Sequence, residues 1–259
     1  MLENIHGWDH RMKIAAIVFA RMMSSRLPGK VLASFCDRSI LNHVLWRTSK
    51  IPEVTDIVLA IPSGKENDVI CWNADRRIGD RLKVFRGSES DVLSRFVGAS
   101  QLVNADIVLR ITADNPLLDP PLAFETIQMV KGEWADYATI TGLPMGTQVE
   151  AMSAKALYRL AEMPDLDAYD REHATHGFYK YREQFTLKLH PAPRYLTRPD
   201  YRLTVDEMND LALVSEVFCA CGRDCDLEKA IKYLDDNPSV LNKNRDIVQR
   251  TRIGEVNTP

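Results

Sequence analysis

Short apolar runs recur through the first half of this chain, each followed by a stretch with helical spacing. This alternation limits the possible folds more than any other feature. The first run, residues 14–19, reads Ile-Ala-Ala-Ile-Val-Phe, and a helical pattern over 40–49 follows, with Ser39 placed as its N-cap. Further strands are predicted at 55–61, 82–85 and 106–112, separated by helices at 66–77, 89–103 and 121–131. In the 89–103 segment Val92, Leu93, Phe96 and Val97 have the spacing of an amphipathic helix. Continuous apolar strands divided by helices imply an α/β fold, a mostly parallel sheet with helices on both faces. The second half is less regular. It predicts strands at 136–141, 148–152, 185–189 and 201–205, and helices at 153–163, 170–182, 211–219 and 227–234. Residues 1–12 read as an extension, 13–237 as one domain and 238–259 as a polar tail.

The chain has 259 residues, enough for one large core. Its formal net charge of -3 excludes a general nucleic-acid binder, so any anion site must be a local concentration of positive charge. No apolar run approaches the roughly 20 residues of a membrane span, and the start lacks the apolar core of a secretory signal. A cytoplasmic location is expected, with neither nucleic acid nor membrane as a partner. Five cysteines, an odd number, favour free thiols. Cys219, Cys221 and Cys225 form part of a metal-ligand pattern but lack a fourth ligand nearby in sequence.

In parallel sheets ligands sit outside the carboxyl ends of the strands. The loop after the first strand, Ala20 to Lys30, holds Arg21, Arg26 and Lys30 together with Ser24, Ser25 and a Pro28-Gly29 turn. Arginine supplies a planar fork of donors and lysine a point charge. The loop reads as a cradle for a polyphosphate, with a solvated basic loop as the plainer alternative. It is neither a Gly-rich P-loop nor a dinucleotide fingerprint. Asp114 follows the strand at 106–112, where a carboxylate suits Mg²⁺ and equally suits a turn. Arg202 to Asp206 repeats the spacing of Arg110 to Asp114. Asp210, one helical turn beyond Asp206, reads as a capping or surface acid. Arg86-Gly87 precedes Ser88 and Ser90, which could bind an anion or simply cap a helix. Glu150 contacts a polyhydroxylated substrate or pairs with an arginine. Arg171, Glu172 and His173 read as positioning groups near an acceptor.

Together these segments resemble a known family. Arg21-x-x-x-Ser25-Arg26-Leu27-Pro28-Gly29-Lys30 resembles the signature loop of cytidylyltransferases that activate acidic sugars, the 3-deoxy-manno-octulosonate and acylneuraminate type. Arg86-Gly87-Ser88-Glu89-Ser90-Asp91-Val92-Leu93-Ser94-Arg95 is similar to their spore coat polysaccharide biosynthesis protein F branch. The segments 110–116, 171–175 and 202–206 complete the set, and the likeness runs from about residue 13 to 220.

The resemblance implies a nucleotide-diphospho-sugar transferase fold with a small acceptor and dimerisation lobe at about 137–200, and a homodimer. By family role, Arg21, Arg26 and Lys30 hold the triphosphate and Asp114 and Asp206 hold Mg²⁺. Ala20, Ser24, Ser25 and Arg86 lie on the nucleotide, and Glu150, Arg171, Glu172 and His173 near the acceptor. The expected reaction couples CTP to an acidic sugar or related metabolite, giving a CMP-sugar and pyrophosphate for surface polysaccharide synthesis. A glycosyltransferase, a nucleotidyltransferase of other base specificity, and a non-catalytic nucleotide-binding protein are the alternatives.

Overall fold

A strand whose every side chain is apolar must be buried on both faces and hydrogen-bonded on both edges. Strand β1 (Ile14–Phe19) meets both demands: all six residues are buried, and it lies between β4 (Asp56–Pro62) and β6 (Ile107–Thr112), parallel to each. The computed structural model that shows this describes residues 12–132 and 134–248. Of the expected extension only Met12, and of the expected tail only 238–248, fall among them.

Strand β5 (Leu82–Gly87) pairs parallel with β4. Beyond β6 come β8 (Glu150–Ser153), β7 (Tyr137–Thr141) and β9 (Leu187–Pro191), giving the order β5-β4-β1-β6-β8-β7-β9. Only β8 runs against its neighbours, so the sheet is mostly parallel, as expected. Strands β7 and β8, which come from the region 137–200, belong to the central sheet. A two-residue hairpin, β2 (Ser34–Phe35) with β3 (Arg38–Ser39), stands apart.

Alternation along β1 sorts its side chains between two layers. Ile14, Ala16 and Val18 face Leu41, Val44 and Leu45 of α1 (Ile40–Thr48), Ile70 of α2 (Asp68–Asn73), and Ala123 and Ile127 of α4 (Pro120–Gly132). Ala15, Ile17 and Phe19 face Phe96 and Ala99 of α3 (Val92–Leu102) and Leu157 and Leu160 of α5 (Ala154–Ala161). Each fully buried Ile or Leu contributes roughly 1.5–3 kcal/mol. A third apolar cluster joins α8 (Met208–Cys221) and α9 (Leu227–Asp236) to Leu203 and Val205.

Helix starts follow cap chemistry. Ser39 accepts from the Asn42 N–H at 3.3 Å, as expected. Helix α3 begins later than the spacing predicts because Asp91 caps it, accepting from the Ser94 N–H at 2.8 Å. Among the described residues no helix is long and apolar enough to cross a membrane. All five cysteines are free thiols.

Three expectations need correction. The predicted helix over 66–77 is only α2, flanked by 3-10 turns at Lys65–Asn67 and Arg76–Arg81. The predicted helix over 170–182 breaks into α6 (Ala168–Glu172) and α7 (His176–Lys180), because Ala174 takes a left-handed backbone (φ 42°) between them. The predicted strand over 201–205 is extended but forms only one bridge, Met145 with Arg202. Its backbone bonds to loops instead: Leu203 N–H to Met145, and Val205 N–H to the Asp114 carbonyl. Part of the expected polar tail, 238–248, is described. Helix α10 (Pro238–Leu241) and a turn at Asn242–Asn244 pack on, and Asn244 donates to the Arg202 carbonyl and to Asp210.

His43 on α1 is buried, stacked on Phe35 at 4.3 Å and beside Phe218 at 4.6 Å. Burial pushes its pKa down from 6.5 to about 4, more than the Phe35 carbonyl raises it. The unfolded chain therefore takes up this proton first as pH falls, and stability is lost between about pH 6.5 and 4. Urea unfolding across that window is expected to show a falling midpoint in the wild type and a flatter one in His43→Gln.

Candidate active site

Strand order reverses at β1, where β4 and β5 are laid down on one side and the later β6 on the other, and crevices form at such points. Three segments converge there. The first loop leaves β1 and folds back on itself: the Gly29 N–H donates to the Met22 carbonyl at 2.8 Å, and the Met22 N–H to Asn67 at 2.9 Å. Gly29 takes φ 70°, which glycine adopts without steric penalty. Lys30 then opens a short 3-10 turn, Lys30–Leu32, and is buried. Strand β6 carries Asp114 just past its end, where the Ala113 N–H donates to the Phe19 carbonyl at 2.8 Å. The extended segment 201–206, tied to Asp114 through Val205, brings in Asp206.

These segments wall a cavity of about 710 Å³. Its lining gathers Ala20, Arg21, Ser24, Ser25, Arg26, Lys30, Asp114, Asp206, Glu172 and His173, ten of the thirteen residues singled out from sequence. The wall carries five cations (Arg21, Arg26, Lys30, Arg95, Arg110) against three carboxylates (Asp114, Glu172, Asp206). The chain as a whole is net negative, so the excess of positive charge is local, and it fits an anionic ligand.

Lys30 holds the two strand-end carboxylates together. Its Nζ lies 2.6 Å from Asp114 Oδ2 and 2.8 Å from Asp206 Oδ1. Burial works against the ammonium, but Asp114 and Asp206 outweigh it and leave the Lys30 pKa raised. Asp206 also accepts from Arg26 at 2.8 Å and Arg202 at 2.6 Å, both at Oδ2. Burial raises its pKa, yet Lys30, Arg26 and Arg202 together bring it below the ordinary carboxylate value. Asp210 is fully buried and bonds to Arg202 Nε at 2.9 Å and to the Asp206 and Glu207 N–H groups at 2.9 and 3.0 Å. It is the capping residue that the sequence suggested, and it fixes Arg202.

Could this place hold Mg²⁺? Its two carboxylates are hard oxygen donors that already converge on one cation. Among the described residues no group of three or more His, Cys, Asp or Glu could hold a metal. Two carboxylates completed by phosphate oxygens and water is the arrangement Mg²⁺ favours, so the residues fit the ion when a phosphate is also present.

Three predicted site residues do not line the cavity. Arg86 pairs with Asp68. Arg171 pairs with Asp91, the cap of α3, at 3.1 Å. Glu150 pairs with an arginine, one of its two open alternatives: Arg110 Nη1 donates at 2.7 Å, the Tyr137 hydroxyl at 2.6 Å and Thr175 at 3.0 Å. Burial, then Glu150 and Tyr179, push the Tyr137 pKa far up, so its hydroxyl stays a donor. Glu150 thus orients Arg110, which does face the cavity.

Sequence reading assigned no role to Arg95, Arg110 or Arg202. Arg95 is 3% exposed, lies over Phe19 at 5.6 Å, and donates to the Ser88 carbonyl. Its Nε has no hydrogen-bond partner. Burial, then Arg21, bring its pKa down to about 10. The available signal was an arginine four residues before Ala99 on the apolar face of α3.

Comparison with known proteins came to one family. The family model described as cytidylyltransferase matches residues 15–251. An uncharacterized protein of Methanocaldococcus jannaschii is 34% identical over 241 residues, 93% of this chain and 98% of the relative. The spore coat polysaccharide biosynthesis protein SpsF of Bacillus subtilis is 31% identical over 230 residues, 87% of this chain and 95% of the relative. Among solved structures, a cytidylyltransferase from Leptospira borgpetersenii superposes with a TM-score of 0.83 at 26% identity, covering 92% of this chain and all of that one.

Gly146 sets the packing of Asp206. It has φ 89°, and a Cβ there would lie 2.4 Å from the Thr204 nitrogen, two residues before Asp206. Gly146→Ala is expected to destabilise the fold by about 1–3 kcal/mol or more in urea unfolding and to weaken nucleotide binding.

Proposed function

The chain belongs to the cytidylyltransferase family, and from that premise we propose that it transfers CMP from CTP to an acidic sugar, releasing pyrophosphate, with Mg²⁺ as cofactor. The observation that carries this reading is the convergence of Arg21, Arg26 and Lys30 with Asp114 and Asp206 in one cavity of net positive wall charge. Similarity to the Bacillus subtilis polysaccharide protein supports a product destined for a surface polysaccharide. A homodimer belongs to the same reading, and sedimentation equilibrium would report it.

The reaction is an in-line displacement at the α-phosphorus. An acceptor oxygen attacks, the bond to the β-phosphate bridge breaks, and pyrophosphate leaves. Such transfers depend on positioning and on neutralising the charge that grows on the leaving group. Arg21, Arg26 and Lys30 are the cations for the β- and γ-phosphates. Ser24 and Ser25 donate hydrogen bonds to phosphate oxygens. Asp114 and Asp206 would hold Mg²⁺, which when bound draws charge from the phosphate oxygens. The buried Arg95 and the half-buried Arg110 supply further positive groups in the wall that suit an acidic acceptor, alongside His173. None of these steps needs a nucleophilic Ser or Cys.

Pyrophosphate release with Mg²⁺, each nucleoside triphosphate and a panel of ulosonic acids tests the reading. Release with CTP alone among the nucleotides supports it; equal use of UTP or GTP, or no turnover with any acid, counts against it. Asp114→Asn is expected to lower turnover by about 10²–10³ or more while keeping an unchanged circular dichroism spectrum. Undiminished activity would remove Asp114 from the metal site. Lys30→Ala is expected to weaken CTP binding or slow turnover by a similar factor, and unchanged kinetics would remove Lys30 from the cradle.

A further inference from the structure

The assignment above gives Lys30 to phosphate and the two aspartates to metal, yet in the free protein the three are bound to one another. Lys30 Nζ occupies the point at which Asp114 Oδ2 and Asp206 Oδ1 converge, at 2.6 and 2.8 Å, with the lysine side chain 10% exposed. The other Asp206 oxygen is taken by Arg26 and Arg202. Three cations (Lys30, Arg26, Arg202) here face three carboxylates (Asp114, Asp206, Asp210), and Arg26 also lies 3.6 Å from a fourth, the more exposed Glu207.

We propose that Lys30 is a stand-in cation that keeps divalent metal out until the nucleotide arrives, so that metal and CTP are taken up together. This rests on the cytidylyltransferase reading of the site. A divalent ion arriving alone would add two positive charges where Asp114 Oδ2 and both Asp206 oxygens are already paired with cations. It would also have to strip two short, charge-assisted hydrogen bonds from a buried ammonium, leaving that charge with no partner. A triphosphate changes both terms. It brings negative charge that matches the incoming ion, and it gives the Lys30 ammonium and the Arg26 guanidinium new oxygens to bind. Lys30 can then leave the carboxylates for phosphate without losing its ion pairs. One side chain thus acts on the metal site before binding and on the phosphates after it.

The geometry also says which contact matters. Arg26 and Arg202 share Oδ2 of Asp206, so their loss would not open the point between the two aspartates. Lys30 alone spans Asp114 and Asp206 among the described residues. The charge on Lys30, rather than its bulk, is the barrier.

The test is metal binding without turnover. Mn²⁺, a hard divalent probe with an electron paramagnetic resonance signal, is titrated into the nucleotide-free protein and again with CTP and no acceptor. Wild type is expected to bind Mn²⁺ weakly alone and well with CTP. Lys30→Met is expected to bind Mn²⁺ alone at least tenfold more tightly than wild type, and the further change Asp114→Asn to abolish that gain. Lys30→Gln, which keeps an N–H donor and removes only the charge, is expected to behave like Lys30→Met and covers the case in which Lys30→Met does not fold. Lys30→Arg, with the charge restored, is expected to exclude Mn²⁺ as wild type does. If wild type binds Mn²⁺ alone as tightly as the neutral variants, the proposal is overturned while CTP-dependent uptake leaves the metal site standing. If no variant holds Mn²⁺ even with CTP, the metal assignment itself falls and the proposal with it.

Discussion

Lys30 between Asp114 and Asp206 is the interaction on which the site's geometry depends. It joins three regions separated by 84 and 176 residues in the chain. Each arrives by a different route: a loop leaving β1, the end of β6, and an extended segment that bonds to loops. None of these routes alone would hold a carboxylate or an ammonium in register with the others. A buried ion pair contributes little net stability, because desolvation offsets attraction. Its value here is positional. Removing one member would leave an uncompensated charge in a buried place, so the arrangement tolerates little rearrangement.

Around that pairing, a second set of polar contacts works at a distance from the cavity. Asp210 holds Arg202, Arg202 holds Asp206, and Asn244 from the chain's last described turn holds both Asp210 and the Arg202 carbonyl. On another side, Glu150 collects Arg110, Tyr137 and Thr175, and Arg171 fastens the cap of α3. In the first set the buried Asp210 fixes Arg202, and in the second the half-buried Glu150 fixes Arg110. The result is a cavity of net positive wall charge inside a protein of net negative charge, which suits polyanions over neutral ligands and needs no overall basic surface.

Much of this was legible in the sequence. The strands of the first half were placed to within a residue or two, because apolar runs buried on both faces leave a signal independent of context. The first loop was legible because Arg21, Arg26 and Lys30 follow such a strand directly. Glu150 and Arg171 were read as groups near an acceptor, and their ion-pair partners, Arg110 and Asp91, lie 40 and 80 residues away in the chain, where no local pattern reports them. The segment 201–205 misled as a strand because the alternating apolar residues Tyr201, Leu203 and Val205 read the same in sequence whether the segment lies beside loops or beside a strand. In the polar 238–248 stretch the buried groups are a single apolar residue, Val240, and Asn244 with its hydrogen bonds, too few for hydropathy to register.

By itself, then, the sequence determined the parallel sheet, the basic loop and carboxylates at the end of it where the cavity opens, and the residue types available there. Those follow from periodicity and from the local sign of charge, which are properties of short stretches of chain. Only the tertiary structure decided that Lys30 sits between the two aspartates, that Glu150 faces Arg110, and that Arg95 and Arg110 add to the cavity wall. Ion pairs and hydrogen bonds act over a few ångströms in space, and the chain distance between partners carries no trace of them.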